Sequence, residues 1–92
     1  MTELAITPLV AAGGVQRLQL AGEVDYATVT QLSTAIQTAI TAGQTAELVV
    51  DLAAVTFLDS GGISALIHGR RTADAHAVAY RIRVPGRATP TQ

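Results

Sequence analysis

The stretch from Leu48 to Ile67, Leu-Val-Val-Asp-Leu-Ala-Ala-Val-Thr-Phe-Leu-Asp-Ser-Gly-Gly-Ile-Ser-Ala-Leu-Ile, constrains the fold more than any other. It opens as an apolar strand, turns at a polar corner, Asp59-Ser60-Gly61-Gly62, and leaves as a helix. Leu48, Val49, Val50 and Leu52 leave almost no polar face, as in a central parallel strand covered on both sides. The strand is read over Glu47 to Leu52, with Ala53 to Leu58 as a connection or a further short extended piece. Phe57 and Leu58 are expected to anchor the corner in the core. The helix is expected to run from Ser60 to about Ala73, with Ile63, Leu66, Ile67 and Arg70 on its inner stripe. Glycine in a helix interior costs up to about 1 kcal/mol relative to alanine. Gly61 and Gly62 in the first turn therefore imply a close backbone approach.

The flanking segments complete an α/β pattern. Leu4 to Thr7 reads as a strand stopped by Pro8 and the Ala11-Ala12-Gly13-Gly14 turn. Val15 to Ala21 reads as its hairpin partner, with Leu18 and Leu20 facing one way and Arg17 and Gln19 the other. Gly22 ends that strand, and Asp25 caps a helix whose apolar stripe is Val29, Leu32, Ile36 and Ile40, widened by Ala35 and Ala39. Gln31, Thr34, Gln37 and Thr41 fall on its wet face, and Gly43 ends it. Ala77 to Val84 is a last strand, with Val78, Tyr80, Ile82 and Val84 opposite Arg81 and Arg83. The order is β-β-α-β-α-β, in a single sheet of about four strands with its helices on one face. Residues 1–84 form the domain, and residues 85–92, which carry no periodic pattern, form a flexible tail.

A chain of 92 residues is one domain. Its hydrophobic share is 49% but its aromatic share only 3%, so Val, Leu, Ile and Ala must build the core. There is no run of the ~20 apolar residues that a membrane span requires, and Met1-Thr2-Glu3-Leu4 does not open a secretory signal. The absence of cysteine excludes a disulfide scaffold and a thiolate zinc site, and fits the cytoplasm. A net charge of -1 argues against direct nucleic-acid binding. Every basic residue except Arg17 lies at or after Arg70, while the acids lie mostly earlier. That asymmetry reads either as acidic and basic ends for docking or as ordinary solvated surface.

The corner carries the chemistry. Asp59-Ser60-Gly61-Gly62 matches a nucleophile tetrapeptide of trypsin-like serine proteases, but those need a far longer chain and a base upstream of the serine. His68 and His76 both lie downstream, and His68 is two turns along the same helix. The Gly-x-Ser-x-Gly elbow is absent, and a chain without lysine has no P-loop. No catalysis or cofactor is expected. Glu23, Asp25 and Asp59 read as caps and solvated carboxylates rather than a metal site. Ser60 is either a helix cap or an exposed hydroxyl that accepts a phosphate. A phosphate would add about −1.5 to −2 charges at pH 7, which the helix dipole favours by about 0.3–2 kcal/mol. The fold would keep its shape, and a partner docked at the corner would feel the charge.

Two stretches resemble the STAS domain family, and within it the bacterial anti-sigma factor antagonists. Leu20-Ala21-Gly22-Glu23-Val24-Asp25 is similar to the family's Leu-x-Gly-Glu-Leu/Val-Asp. Val49-Val50-Asp51-Leu52, continued by Val55-Thr56-Phe57-Leu58-Asp59-Ser60-Gly61-Gly62, is similar to its Asp-Leu-x-x-Val-x-Phe-x-Asp-Ser-Ser/Gly-Gly signature. The resemblance implies that an anti-sigma factor with serine kinase activity phosphorylates Ser60. The unphosphorylated form would bind that kinase and free a sigma factor, and any ATP and magnesium would belong to the kinase. Asp59, Gly61, Gly62 and Ser64 beside Ser60, with Glu23 and Asp25 in the adjoining loop, would form the docking face. The alternative role within the family is a scaffold or accessory subunit without phosphate, for example in a lipid-transport ATPase complex. Gly61 departs from the second serine of many antagonists. The chain also stops about where the family begins further helices, which leaves a sheet face or the fourth strand open to a second copy.

Overall fold

The computed structural model describes residues 3–84. The strands are β1 (Leu4–Ala11), β2 (Val15–Val24), β3 (Glu47–Leu58) and β4 (Ala79–Arg83), and the helices are α1 (Val29–Thr41) and α2 (Ser60–Ala75). The sheet order is β1-β2-β3-β4. β1 and β2 form an antiparallel hairpin, while β2–β3 and β3–β4 pair parallel across the two helices. The α/β class and the element order expected from the sequence hold. The tail expected over residues 85–92 lies outside the described residues.

Both helices lie on one face of the sheet, α1 against β1 and β2, α2 against β3 and β4, and they pack side by side. The core between them is aliphatic. Leu18, Leu20 and Val24 from β2 meet Leu48, Val50 and Leu52 from β3, with Leu32, Ile36 and Ile40 from α1 above them. Each such side chain contributes roughly 1.5–3 kcal/mol when fully buried. The polar stripe expected for α1 is exposed at Gln31, Thr34, Gln37 and Thr41. Gly43 follows the helix with φ +97°, a left-handed position that suits glycine.

Several boundaries differ from expectation, each for a physical reason. β1 runs through Pro8 to Ala11, because an edge strand tolerates a residue without an N–H. β2 does not end at Gly22 but continues to Val24 through register shifts against β3. Gly22 takes φ +115°, and a Cβ there would strike the Glu3 carbonyl oxygen. β3 continues through the segment read as a connection, in one strand of 12 residues. β4 is shorter than expected, because Ala77 and Val78 close the end of α2.

β3 is also not covered on both faces. Opposite the helices, Asp51 is buried beneath two guanidinium groups, Arg83 at 3.3 Å and Arg17 at 4.0 Å, and accepts a hydrogen bond from the Ala53 N–H. Arg81 pairs with Glu47 on the same side. Charges therefore alternate across the open face.

The inner face of α2 is rotated from the expected stripe. Gly62, Ala65, Leu66, Gly69 and Ala73 are buried, while Ile63, Ile67 and Arg70 are exposed. Gly69 explains the rotation. A Cβ there would lie 2.5 Å from the Tyr80 hydroxyl oxygen and 2.9 Å from Ile36 Cγ2, so the helix approaches its neighbours more closely than a larger residue permits. The Tyr80 hydroxyl donates to the Leu66 carbonyl at 2.8 Å, and burial pushes its pKa up to about 12, against a smaller lowering by Arg70.

Candidate docking corner

The corner sits at the carboxyl ends of the parallel pair β2–β3, where both following helices begin. α/β sheets commonly present ligand and partner sites at this end of their strands. Two connections meet there. The Asp59 N–H donates to the Val24 carbonyl at 3.1 Å, joining the start of α2 to the end of β2.

Asp59, not Ser60, caps α2. Its backbone is extended, and its Oδ1 accepts the Gly62 N–H at 3.0 Å. Of the two roles the sequence left open for Ser60, cap or exposed hydroxyl, the cap falls one residue earlier, where the backbone is extended. Ser60 is the first helical residue. It is exposed, and its hydroxyl makes no hydrogen bond among the described residues. It faces solvent at the positive end of the helix dipole.

The two glycines have different roles. Gly61 is exposed, and a Cβ would meet nothing nearer than Asp59 Oδ1 at 3.3 Å. Gly62 is buried, and a Cβ would lie 2.5 Å from Leu58 Cδ1 and 2.7 Å from Val24 Cγ1. Gly62 therefore lets the helix seat on the strand ends and offers no side chain to a partner. Ser64, one turn beyond Ser60, is exposed.

The adjoining loop is braced by Thr28, a residue that the sequence reading passed over. Its buried hydroxyl donates to the Glu23 carbonyl at 2.9 Å and accepts the Asp25 N–H at 3.0 Å. Asp25 Oδ1 accepts the Ala27 N–H at 2.9 Å, and the Asp25 carbonyl accepts from Thr28 and Val29. Asp25 thus shapes the turn before α1 and does not cap the helix, whose first residue is Val29. The spacing Asp25-x-x-Thr28 was the available signal for this turn. Glu23, Asp25 and Asp59 are all half-buried around the corner.

Two aromatic side chains complete the surface. Tyr26 is 89% exposed and Phe57 is 52% exposed. Phe57 was expected in the core. It pairs across the sheet with Glu23, while its neighbour Leu58 pairs with the fully buried Val24. Alternation along the strand then carries Phe57 away from the helices.

Among the described residues there is no cluster of His, Asp and Glu able to hold a metal. No helix among them is long and apolar enough to cross a membrane.

Comparisons with known proteins agree with this architecture. A family model described as Mlab, STAS domain, matches residues 9–89. An anti-sigma factor antagonist from Mycobacterium paratuberculosis is 32% identical, with a TM-score of 0.72 over 89% of this chain and 69% of that one. The anti-sigma factor antagonist SpoIIAA in its unphosphorylated form is 25% identical, with a TM-score of 0.73 over 89% of this chain and 71% of that one. The Bacillus cell fate determinant SpoIIAA in its phosphorylated form is 26% identical, with a TM-score of 0.67 over 85% of this chain and 68% of that one. No curated protein matches by sequence. With the family model spanning residues 9–89 and the overall fold shared with these antagonists, the chain belongs to the STAS domain family.

Proposed function

We propose that this protein is an anti-sigma factor antagonist switched by phosphorylation of Ser60. Unphosphorylated, it binds an anti-sigma factor serine kinase in the cytoplasm and so frees a sigma factor for transcription. The kinase phosphorylates Ser60, and the phosphoprotein is released. The protein has no catalytic role of its own. In this reading Glu23, Asp25, Asp59, Gly61 and Ser64 form the docking face together with Ser60, and Gly62 acts by seating the helix.

The observation that carries this reading is the division of work at the corner. Asp59 supplies the cap, so the exposed Ser60 hydroxyl has no structural duty that a phosphate would disturb. The added charge at a helix N-terminus is favourable to the fold. Against a closely packed, apolar partner surface that charge loses its hydration with no paired charge in return, which costs several kcal/mol. Because each 1.4 kcal/mol is tenfold in affinity, such a contact is a switch without a conformational change.

The test is incubation with ATP, magnesium and the serine-kinase anti-sigma factors encoded in the same genome, followed by mass spectrometry of the intact chain and its peptides. One phosphate on the peptide containing Ser60 is expected. No phosphate with any of the kinases would sink the proposal. A second reading, a STAS scaffold or accessory subunit that needs no phosphate, is supported by the Mlab description of the matched family model.

A further inference from the structure

We infer that Tyr26 and Phe57 are the aromatic anchors of the docking face, and that the partner surface receiving them is apolar at its centre and basic at its rim. This rests on the proposed binding of a serine-kinase anti-sigma factor. The chain has only two tyrosines and one phenylalanine. Tyr80 is held by its hydrogen bond to Leu66, but the other two stand out from the surface, 89% exposed at Tyr26 and 52% at Phe57. Both flank the same corner. Tyr26 follows Val24 by two residues, Phe57 precedes Asp59 by two, and the Asp59–Val24 hydrogen bond ties the segments together.

A chain with an aliphatic core that spends its aromatic side chains on one exposed corner has the composition of an interface centre there. Tyrosine supplies large contact area with few torsions to fix, and aromatic residues dominate binding hot spots. Tyr26 is set on a turn braced from both sides by Asp25 and Thr28, so little of the loop has to order on binding. The charge around the pair defines the rim. Glu23 lies directly across the sheet from Phe57 and makes no ion pair among the described residues. Arg17, Arg70, Arg81 and Arg83 are engaged with Asp51, Asp74 and Glu47, away from this end. A basic rim on the partner matches that acidic surround, while a phosphate on Ser60 would be carried into the apolar centre, where no paired charge replaces its water.

Calorimetric titration of the same purified kinases tests the assignment with the wild-type protein, Tyr26→Ala, Phe57→Ala, Glu23→Gln and Val10→Ala. Val10 is a similarly exposed apolar residue at the hairpin end of β1 and serves as the control. At least about tenfold weaker binding is expected for each aromatic variant, as for hot-spot truncations. Glu23→Gln should weaken binding and flatten the salt dependence of the affinity, and Val10→Ala should bind like the wild type. Tyr26 is so exposed that its replacement leaves the fold intact, which keeps the test decisive if Phe57→Ala is unstable. Wild-type binding with Tyr26→Ala unchanged, or with Val10→Ala equally weakened, would overturn the anchors and leave the kinase-binding proposal standing. Failure of the wild-type protein to bind any of the kinases would overturn both.

Discussion

At the scale of single residues, Asp59 and Ser60 are adjacent but not interchangeable. A helix leaves its first N–H groups without intrahelical partners, and Asp59 satisfies one of them through the 3.0 Å bond to the Gly62 N–H. Replacing a capping aspartate by alanine typically costs about 1 kcal/mol. Asp59→Ala should therefore lower stability by about that amount in urea unfolding, while Ser60→Ala should leave the midpoint unchanged. Equal losses would return the cap to Ser60. The tetrapeptide announced a helix start and a hydroxyl in the sequence, but not which residue did which job. Both aspartate and serine are good caps, and only backbone geometry separates the capping position from the first helical one. Phe57 was misplaced for a related reason. Its hydrophobicity pointed inward, but β3 continues through it, and the alternation that turns Leu48, Val50 and Leu52 towards the helices turns Phe57 the other way.

At the scale of elements, α2 is governed by its small residues. Sequence periodicity weights isoleucine and leucine, so it chose Ile63 and Ile67 for the inner face. Glycine carries no hydrophobic signal, yet Gly62 and Gly69 decide how close the helix comes. Gly61→Ala should stabilise the protein by up to about 1 kcal/mol through helix propensity. Gly62→Ala gains the same propensity but overpacks Val24 and Leu58, at a cost of about 1–3 kcal/mol, so it should destabilise on balance. Paired chemical unfolding of the two variants checks the contrast. At the other end of α2, the Val78 N–H reaches the Ala73 carbonyl and the Ala77 N–H the Asp74 carbonyl, with Ala77 at φ +58°. Left-handed backbone costs a non-glycine residue roughly 1–2 kcal/mol. Ala77→Gly, partly offset by glycine's greater unfolded-state freedom, should raise the melting temperature, and a fall would show that the turn is unstrained.

At the scale of the whole molecule, one face of the sheet holds the helices and the other stays open. The two-residue alternation of β2 and β4 made the sheet legible in the sequence, and the four-residue spacing of α1 made its helix legible. The open face was not legible, because the apolar run in β3 concealed that Asp51 would be held by arginines from both neighbouring strands. Tyr80 links α2 to β4 and gives the fold a pH dependence with a definite sign. Its pKa is raised in the folded protein from 10.0 to about 12, so its contribution is complete below pH 10 and is lost as the pH rises towards 12. Tyr80→Phe should abolish that part of the alkaline decline in stability, measured as melting temperature between pH 9 and 12. A decline unchanged by the substitution would assign it to other groups. The central claim concerns the corner itself, and it is tested most directly by titrating the kinase with unphosphorylated protein, Ser60→Ala and protein phosphorylated at Ser60. Tight binding of the first two, at least about tenfold weaker binding of the phosphoprotein and closely similar melting temperatures are predicted. Equal affinity of the phosphorylated and unphosphorylated forms would contradict the account.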